Sequence, residues 1–79
     1  MTLKEMRYHI YRKLLEREVP ERECIGMISA IWNEEMAERI LKYLNNEPMS
    51  TRTRTVINEI SMIVIEYDEE NWEEYKFED

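Results

Sequence analysis

The stretch Thr51 to Tyr67, TRTRTVINEISMIVIEY, decides the fold. Two readings compete for it. TRTRT alternates and Ile63-Val64-Ile65 is β-branched, which would suit a pair of strands. Against this, Val56, Ile57, Ile60, Ile63, Val64 and Tyr67 recur at i, i+3 and i+4, the stripe of an amphipathic helix. The 3.6-residue pattern covers more residues than the alternation does, so the spacing predicts a helix. Met62 and Ile65 lie off the stripe, which makes this helix apolar nearly all round at its centre. It is then either the central helix of the core or part of a dimer seam, with Ile57, Met62 and Ile65 as the candidate seam residues.

Toward the N-terminus, Asn45-Asn46-Glu47-Pro48 reads as a helix end, since Asn suits a left-handed cap and Pro cannot continue. Ser50 or Thr51 is the expected cap of the next helix. Between Pro20 and Asn46 the apolar positions fall on two faces. Cys24, Ile25, Ile28, Ile31 and Trp32 share one; Met36, Ala37, Ile40, Leu41, Tyr43 and Leu44 share another, rotated by roughly a third of a turn. One straight helix would need two cores, so a break is expected at Asn33, a good N-cap followed by Glu34 and Glu35. Pro20 suits the first position of the earlier piece, and Glu21 and Glu23 complement its dipole. Thr2-Leu3-Lys4-Glu5 fits a capping box, and Met1 and Met6 fall at the staple positions. Leu3, Met6, Ile10 and Leu14 then continue as a stripe, predicting a helix over about 3–18. Tyr11 lies beside them, and Tyr8 and Leu15 widen the apolar side enough for two neighbours. The reading is an all-α chain, a small three- to four-helix bundle over residues 1–67.

Toward the C-terminus lies EYDEENWEEYKFED, Glu66 to Asp79. It holds eight acids and one base, so it carries the chain's whole net charge of −7, and residues 1–65 balance at ten bases against ten acids. Residues 68–79 form an acidic, aromatic-containing segment, expected to fray from the helix near Asp68–Asn71 or to extend it. Carboxylates crowding every turn repel one another at i, i+4. The basic helix 3–18, with Lys4, Arg7, Arg12, Lys13 and Arg17, is its expected electrostatic counterpart, within one chain or between two.

Composition bounds the function. Seventy-nine residues make one domain with one small core. One glycine and two prolines are too few breakers for a β-barrel or sandwich. The acidic balance disfavours nonspecific nucleic-acid and anionic-membrane binding and favours a partner with a basic surface. Cys24 is the only cysteine, so no intrachain disulfide forms. MTLKEMRYHIYRK has no apolar core of a signal peptide, and Met62–Ile65 is too short to span a bilayer. A cytoplasmic location is expected.

Catalytic and metal chemistry find little support. His9, the only histidine, falls on the polar side of the first helix, and Cys24 falls on an apolar face. A Cys–His nucleophile would further need an orienting group and an oxyanion site. One Cys and one His make no zinc site, the tail's DEE and EE runs lack calcium-loop spacing, and Gly26 alone cannot build a phosphate loop. No enzymatic activity, cofactor or metal is expected.

Two binding readings remain. In the first, Asp68, Glu69, Glu70, Trp72, Glu73, Glu74, Tyr75 and Phe77 form a partner-binding surface. Its carboxylates face a basic cleft, in imitation of nucleic-acid phosphates, and its aromatics supply contact area. In the second, residues 34–66 hold a helix-turn-helix-like element in a dimeric regulator, with Arg52 and Arg54 opening the recognition helix. The first is preferred, because a net charge of −7 opposes DNA binding. In size, acidity and lack of catalytic residues the chain resembles the small proteins with which bacteriophages block host enzymes, and bacterial immunity proteins. The resemblance is one of type and transfers no residue roles.

Overall fold

The contested stretch is helical. The computed structural model describes residues 1–72, and among them are four helices and no strand: α1 (Leu3–Glu16), α2 (Glu21–Ser29), α3 (Glu34–Asn46) and α4 (Thr53–Glu70). The break between α2 and α3 falls where the two apolar faces require it. Asn33 caps α3, its side chain accepting from the Glu35 N–H at 2.7 Å. The capping box of α1 is complete: Thr2 Oγ1 accepts from the Glu5 N–H at 3.2 Å, and Glu5 accepts from the Thr2 N–H at 2.9 Å. Those hydrogen bonds hold the Glu5 carboxyl below its ordinary pKa.

α1 and α3 are the two inner helices. Met36, Ala37, Ile40 and Leu44 are all buried along α3, which packs against both α1 and α4, while α2 packs on α1. This corrects the expectation that α4 could be the core's central element. α4 buries Val56, Ile60 and Tyr67, chiefly against α3, and leaves Met62 and Ile65 half exposed at 49% and 48%. The remaining core is Met6, Ile10 and Leu14 of α1 with Val19, Cys24 and Ile31. Ile31 follows α2 rather than belonging to it, and Trp32 lies in the same connection. Tyr8 and Leu15, expected to pack, are exposed; α1 reaches two neighbours through its Leu3–Leu14 stripe.

Arg7 of α1 and Arg17 at its C-cap tie the α2–α3 and α3–α4 connections. Arg7 donates through Nε, at 2.8 Å, and Nη2 to the Ile31 carbonyl, in the link between α2 and α3. Arg17 is buried just past the end of α1 and donates to the carbonyls of Leu44 (3.0 Å), Glu47 and Pro48 (2.9 Å). Its guanidinium therefore satisfies orphan carbonyls at the C-terminus of α3 and sits at the negative end of that helix's dipole. Thr53 Oγ1 in turn donates to the Arg17 carbonyl at 3.2 Å, fixing where α4 begins. α4 itself opens at Arg52 with no side-chain cap, where Ser50 or Thr51 was expected to supply one. Pro20 likewise stands one position earlier than expected, as N-cap of α2.

α1 ends in a Schellman motif: Glu18 N–H bonds to Leu15 O at 3.0 Å and Val19 N–H to Leu14 O at 3.1 Å. Buried Val19 and Leu14 supply the apolar contact positions of that motif. The left-handed position, φ 64°, is filled by Glu18, not by glycine. A side chain there costs roughly 1–2 kcal/mol, partly offset by the lower entropy of the unfolded chain. Glu18→Gly is therefore expected to raise stability by about 0.5–1 kcal/mol, read as a higher urea midpoint at unchanged slope. Arg17→Met, which keeps the apolar stem and removes every donor, is expected to cost about 3 kcal/mol in the same assay, because three carbonyls lose a charged partner.

Candidate functional site

The acidic segment begins inside α4, and its first residues are anchored. Trp32 Nε1 donates to Asp68 Oδ1 at 2.8 Å, across 36 residues of sequence. The Trp32 and Tyr67 rings meet edge to face with centroids 5.6 Å apart. Arg39 of α3 lies over the Tyr67 ring at 5.1 Å and pairs with Glu70 at 3.2 Å and Glu35 at 3.5 Å. The Tyr67 hydroxyl donates to Glu35 Oε2 at 3.4 Å. These carboxylates hold the Arg39 pKa above its ordinary value, with Glu70 the largest contributor. The end of α4 is thereby fastened to the start of α3 through one aromatic pair, one cation and three acids.

The candidate partner-binding residues accordingly divide. Asp68, half-buried, and Glu70 have structural partners in Trp32 and Arg39. Glu69 and Trp72 are exposed beside them, as is Glu66 one turn earlier. Glu73, Glu74, Tyr75 and Phe77 lie outside the described residues. The expected pairing of the acidic segment with α1 is not seen among the described residues: its one ion pair there goes to Arg39, while Arg7 and Arg17 are engaged with backbone carbonyls. Trp32 and Arg39 are the residues that sequence reasoning missed. Nothing local marks Trp32 as a donor to a carboxylate 36 positions away. Arg39 carries a weak signal, since it stands at i+4 from Glu35.

The charges of α4 run against its own dipole. Arg52 and Arg54 stand at its N-terminal end, its first turn has no acid, its last turn has no base, and Glu66, Asp68, Glu69 and Glu70 crowd its C-terminal end. Of the candidate seam, Met62 and Ile65 are exposed, whereas Ile57 is half-buried against the core. Beside Ile65 an apolar groove of about 310 Å³ runs between α2 and α4, lined by Gly26, Met27, Ala30, Ile60, Ser61, Val64 and Ile65. A Cβ added at Gly26 would meet nothing within 4 Å, so the groove floor is open.

The two residues weighed for catalysis differ in exposure. His9 is exposed on α1. Cys24 is fully buried, its Sγ donating to the Val19 carbonyl at 3.5 Å, and burial raises its thiol pKa. Among the described residues no group of three His, Cys, Asp or Glu side chains is placed to hold a metal ion, and no helix is long and apolar enough to cross a membrane. Between α3 and α4, Arg39, Lys42, Tyr43, Asn46, Glu47 and Ile63 line a wide, open concavity. Compared with known proteins, the chain matches no family model, no curated protein and no solved structure.

The anchor of α4 is testable by a double-mutant cycle. Trp32→Phe and Asp68→Ala are each expected to destabilise the fold, and the pair by about 1 kcal/mol less than their sum, measured by urea unfolding. Additive losses would mean that the 2.8 Å hydrogen bond contributes nothing in solution.

Proposed function

We propose that this protein is a non-enzymatic binder that engages a basic surface on another protein through its C-terminal acidic-aromatic segment, and so inhibits or adapts that partner. The observation that carries the reading is the carboxylate cluster at the end of α4. Four acids stand where the helix dipole disfavours them, and of these Glu66 and Glu69 are exposed with no ion-pair partner among the described residues. Folding gains nothing from those two charges, whereas a cationic partner would. Trp32 and Arg39 hold Tyr67, Asp68 and Glu70, the residues at which the segment begins, so that part of the surface is ordered before binding. Trp72, 53% exposed, adds aromatic area of the kind that dominates interface energies. Charges in a row along a helix end also imitate a nucleic-acid backbone, so the cleft of a DNA- or RNA-binding protein is the favoured kind of target.

The rival reading is a DNA-binding dimer. In its favour, α3 and α4 are consecutive helices and Arg52 and Arg54 are exposed at the start of the second. Against it, six residues, 47–52, separate the helices where a helix-turn-helix uses three or four, and the chain's net charge repels phosphate.

The experiment is affinity capture by the full chain from a lysate of its native host, compared with a variant carrying Glu66→Gln, Glu69→Gln, Glu73→Gln and Glu74→Gln. Asp68 and Glu70 are spared because Trp32 and Arg39 need them. A stoichiometric basic protein is expected, lost from the variant and released from the wild type as salt rises through about 0.5 M. Retention of the same partner by the variant would remove the site. Recovery of nucleic acid in place of a protein would put the rival forward.

A further inference from the structure

We infer that the outer face of α4 is a self-complementary surface on which a second copy of this chain docks antiparallel. The face shares Glu69 with the proposed partner-binding surface, and the two are told apart because self-association is read on the purified chain alone. Arg54, Asn58, Ser61, Met62, Ile65 and Glu69 are all exposed, and at 100° per residue they fall on one side of α4, opposite buried Val56, Ile60 and Tyr67. The stripe is basic at its N-terminal end, apolar in the middle and acidic at its C-terminal end. Neither Arg54 nor Glu69 has an ion-pair partner among the described residues.

The order of these residues selects both the occupant and its direction. The midpoint between Arg54 and Glu69 lies between Ser61 and Met62. A two-fold axis there sets Arg54 of each copy against Glu69 of the other, and Asn58 against Ile65. Because the contact is isologous, one favourable charge pair occurs twice. Met62 and Ile65 of both copies meet around the axis, beside the groove lined by Gly26 and Ala30, whose space no described residue fills. A parallel pairing would set Arg54 against Arg54 and Glu69 against Glu69, two like-charge contacts. The same reversed charges that weaken α4 as an isolated helix thus become attractive when a second α4 runs the opposite way, each helix dipole meeting its antiparallel counterpart.

Sedimentation velocity on the full chain, at concentrations up to about 100 µM, is expected to show a monomer–dimer equilibrium. Arg54→Glu and Glu69→Arg should each raise the dimer dissociation constant by about tenfold or more, since each converts two attractive contacts into repulsive ones. The double variant Arg54→Glu, Glu69→Arg should return it close to the wild-type value. These positions are exposed, and circular dichroism should show the helical content unchanged. Direction is read separately: mixed Asn58→Cys and Ile65→Cys chains should oxidise to the 58–65 heterodimer, while Ile65→Cys alone should not cross-link. A chain that stays monomeric throughout overturns the inference and leaves the face to a different protein. A dimer indifferent to both charge reversals, or one that cross-links through 65–65, overturns it as well.

Discussion

The buried guanidinium of Arg17 is the constraint on which the arrangement of helices depends. It has no carboxylate partner among the described residues; it is held by the carbonyls of Leu44 and Glu47, at the C-terminal end of α3, and of Pro48 just beyond it. One residue therefore closes the C-terminus of α3, offsets its dipole, and through its own carbonyl receives the hydroxyl of Thr53 at the start of α4. The planar fork of arginine suits this role, because carbonyls on three successive sides can be reached from one rigid group, which the single ammonium of lysine could not do. The left-handed turn at Glu18 follows from the same demand. The chain must leave α1 immediately after Arg17 and deliver Val19 into the core.

The four helices were legible because their signals are local. The Thr2–Glu5 box, the rotated apolar faces on either side of Asn33, and the Val56–Tyr67 stripe each lie within about five turns of one helix. What was not legible depends on residues distant in sequence. Arg17 reads as one more base on a basic helix, although its place at i+3 from Leu14, continuing Leu3, Met6, Ile10 and Leu14, was a signal that it faces inward. That α1 and α3 are the inner pair could not be read from α4's wide apolar surface, since an all-round apolar helix is equally consistent with a core and with an interface. The hydrogen bond from Trp32 to Asp68 joins a helix connection to the far end of the chain, and no periodicity encodes it. The candidate site was legible as composition, an excess of acid among aromatics, and not as a division of labour. The structure separates Asp68 and Glu70, which have partners, from Glu66 and Glu69, which have no ion-pair partner among the described residues.

That division bears on how α4 persists at all. Its N-terminal end carries arginines and its C-terminal end carries acids, the reverse of what the macrodipole favours, and it lacks a side-chain cap at Arg52. A helix so charged would be marginal alone. Here its two ends are pinned, by Thr53 on Arg17 at one and by Trp32 and Arg39 on Asp68, Tyr67 and Glu70 at the other, and Val56, Ile60 and Tyr67 bury against α3 between them. Packing and anchoring supply what local electrostatics withholds.

Because the fold does not rely on the outward charges of α4, those charges are free to be set by association. An exposed ion pair within one surface contributes little, since water already solvates both members. The same groups act more strongly between two surfaces, where they steer encounter and reject wrong orientations. An order of basic, apolar and acidic residues along one helix, with the apolar part at the centre, is suited to a partner presenting the opposite order, and an antiparallel copy of the same helix presents it by symmetry. Any other occupant would have to match the same sequence of charges, so the face is selective before the identity of its partner is known.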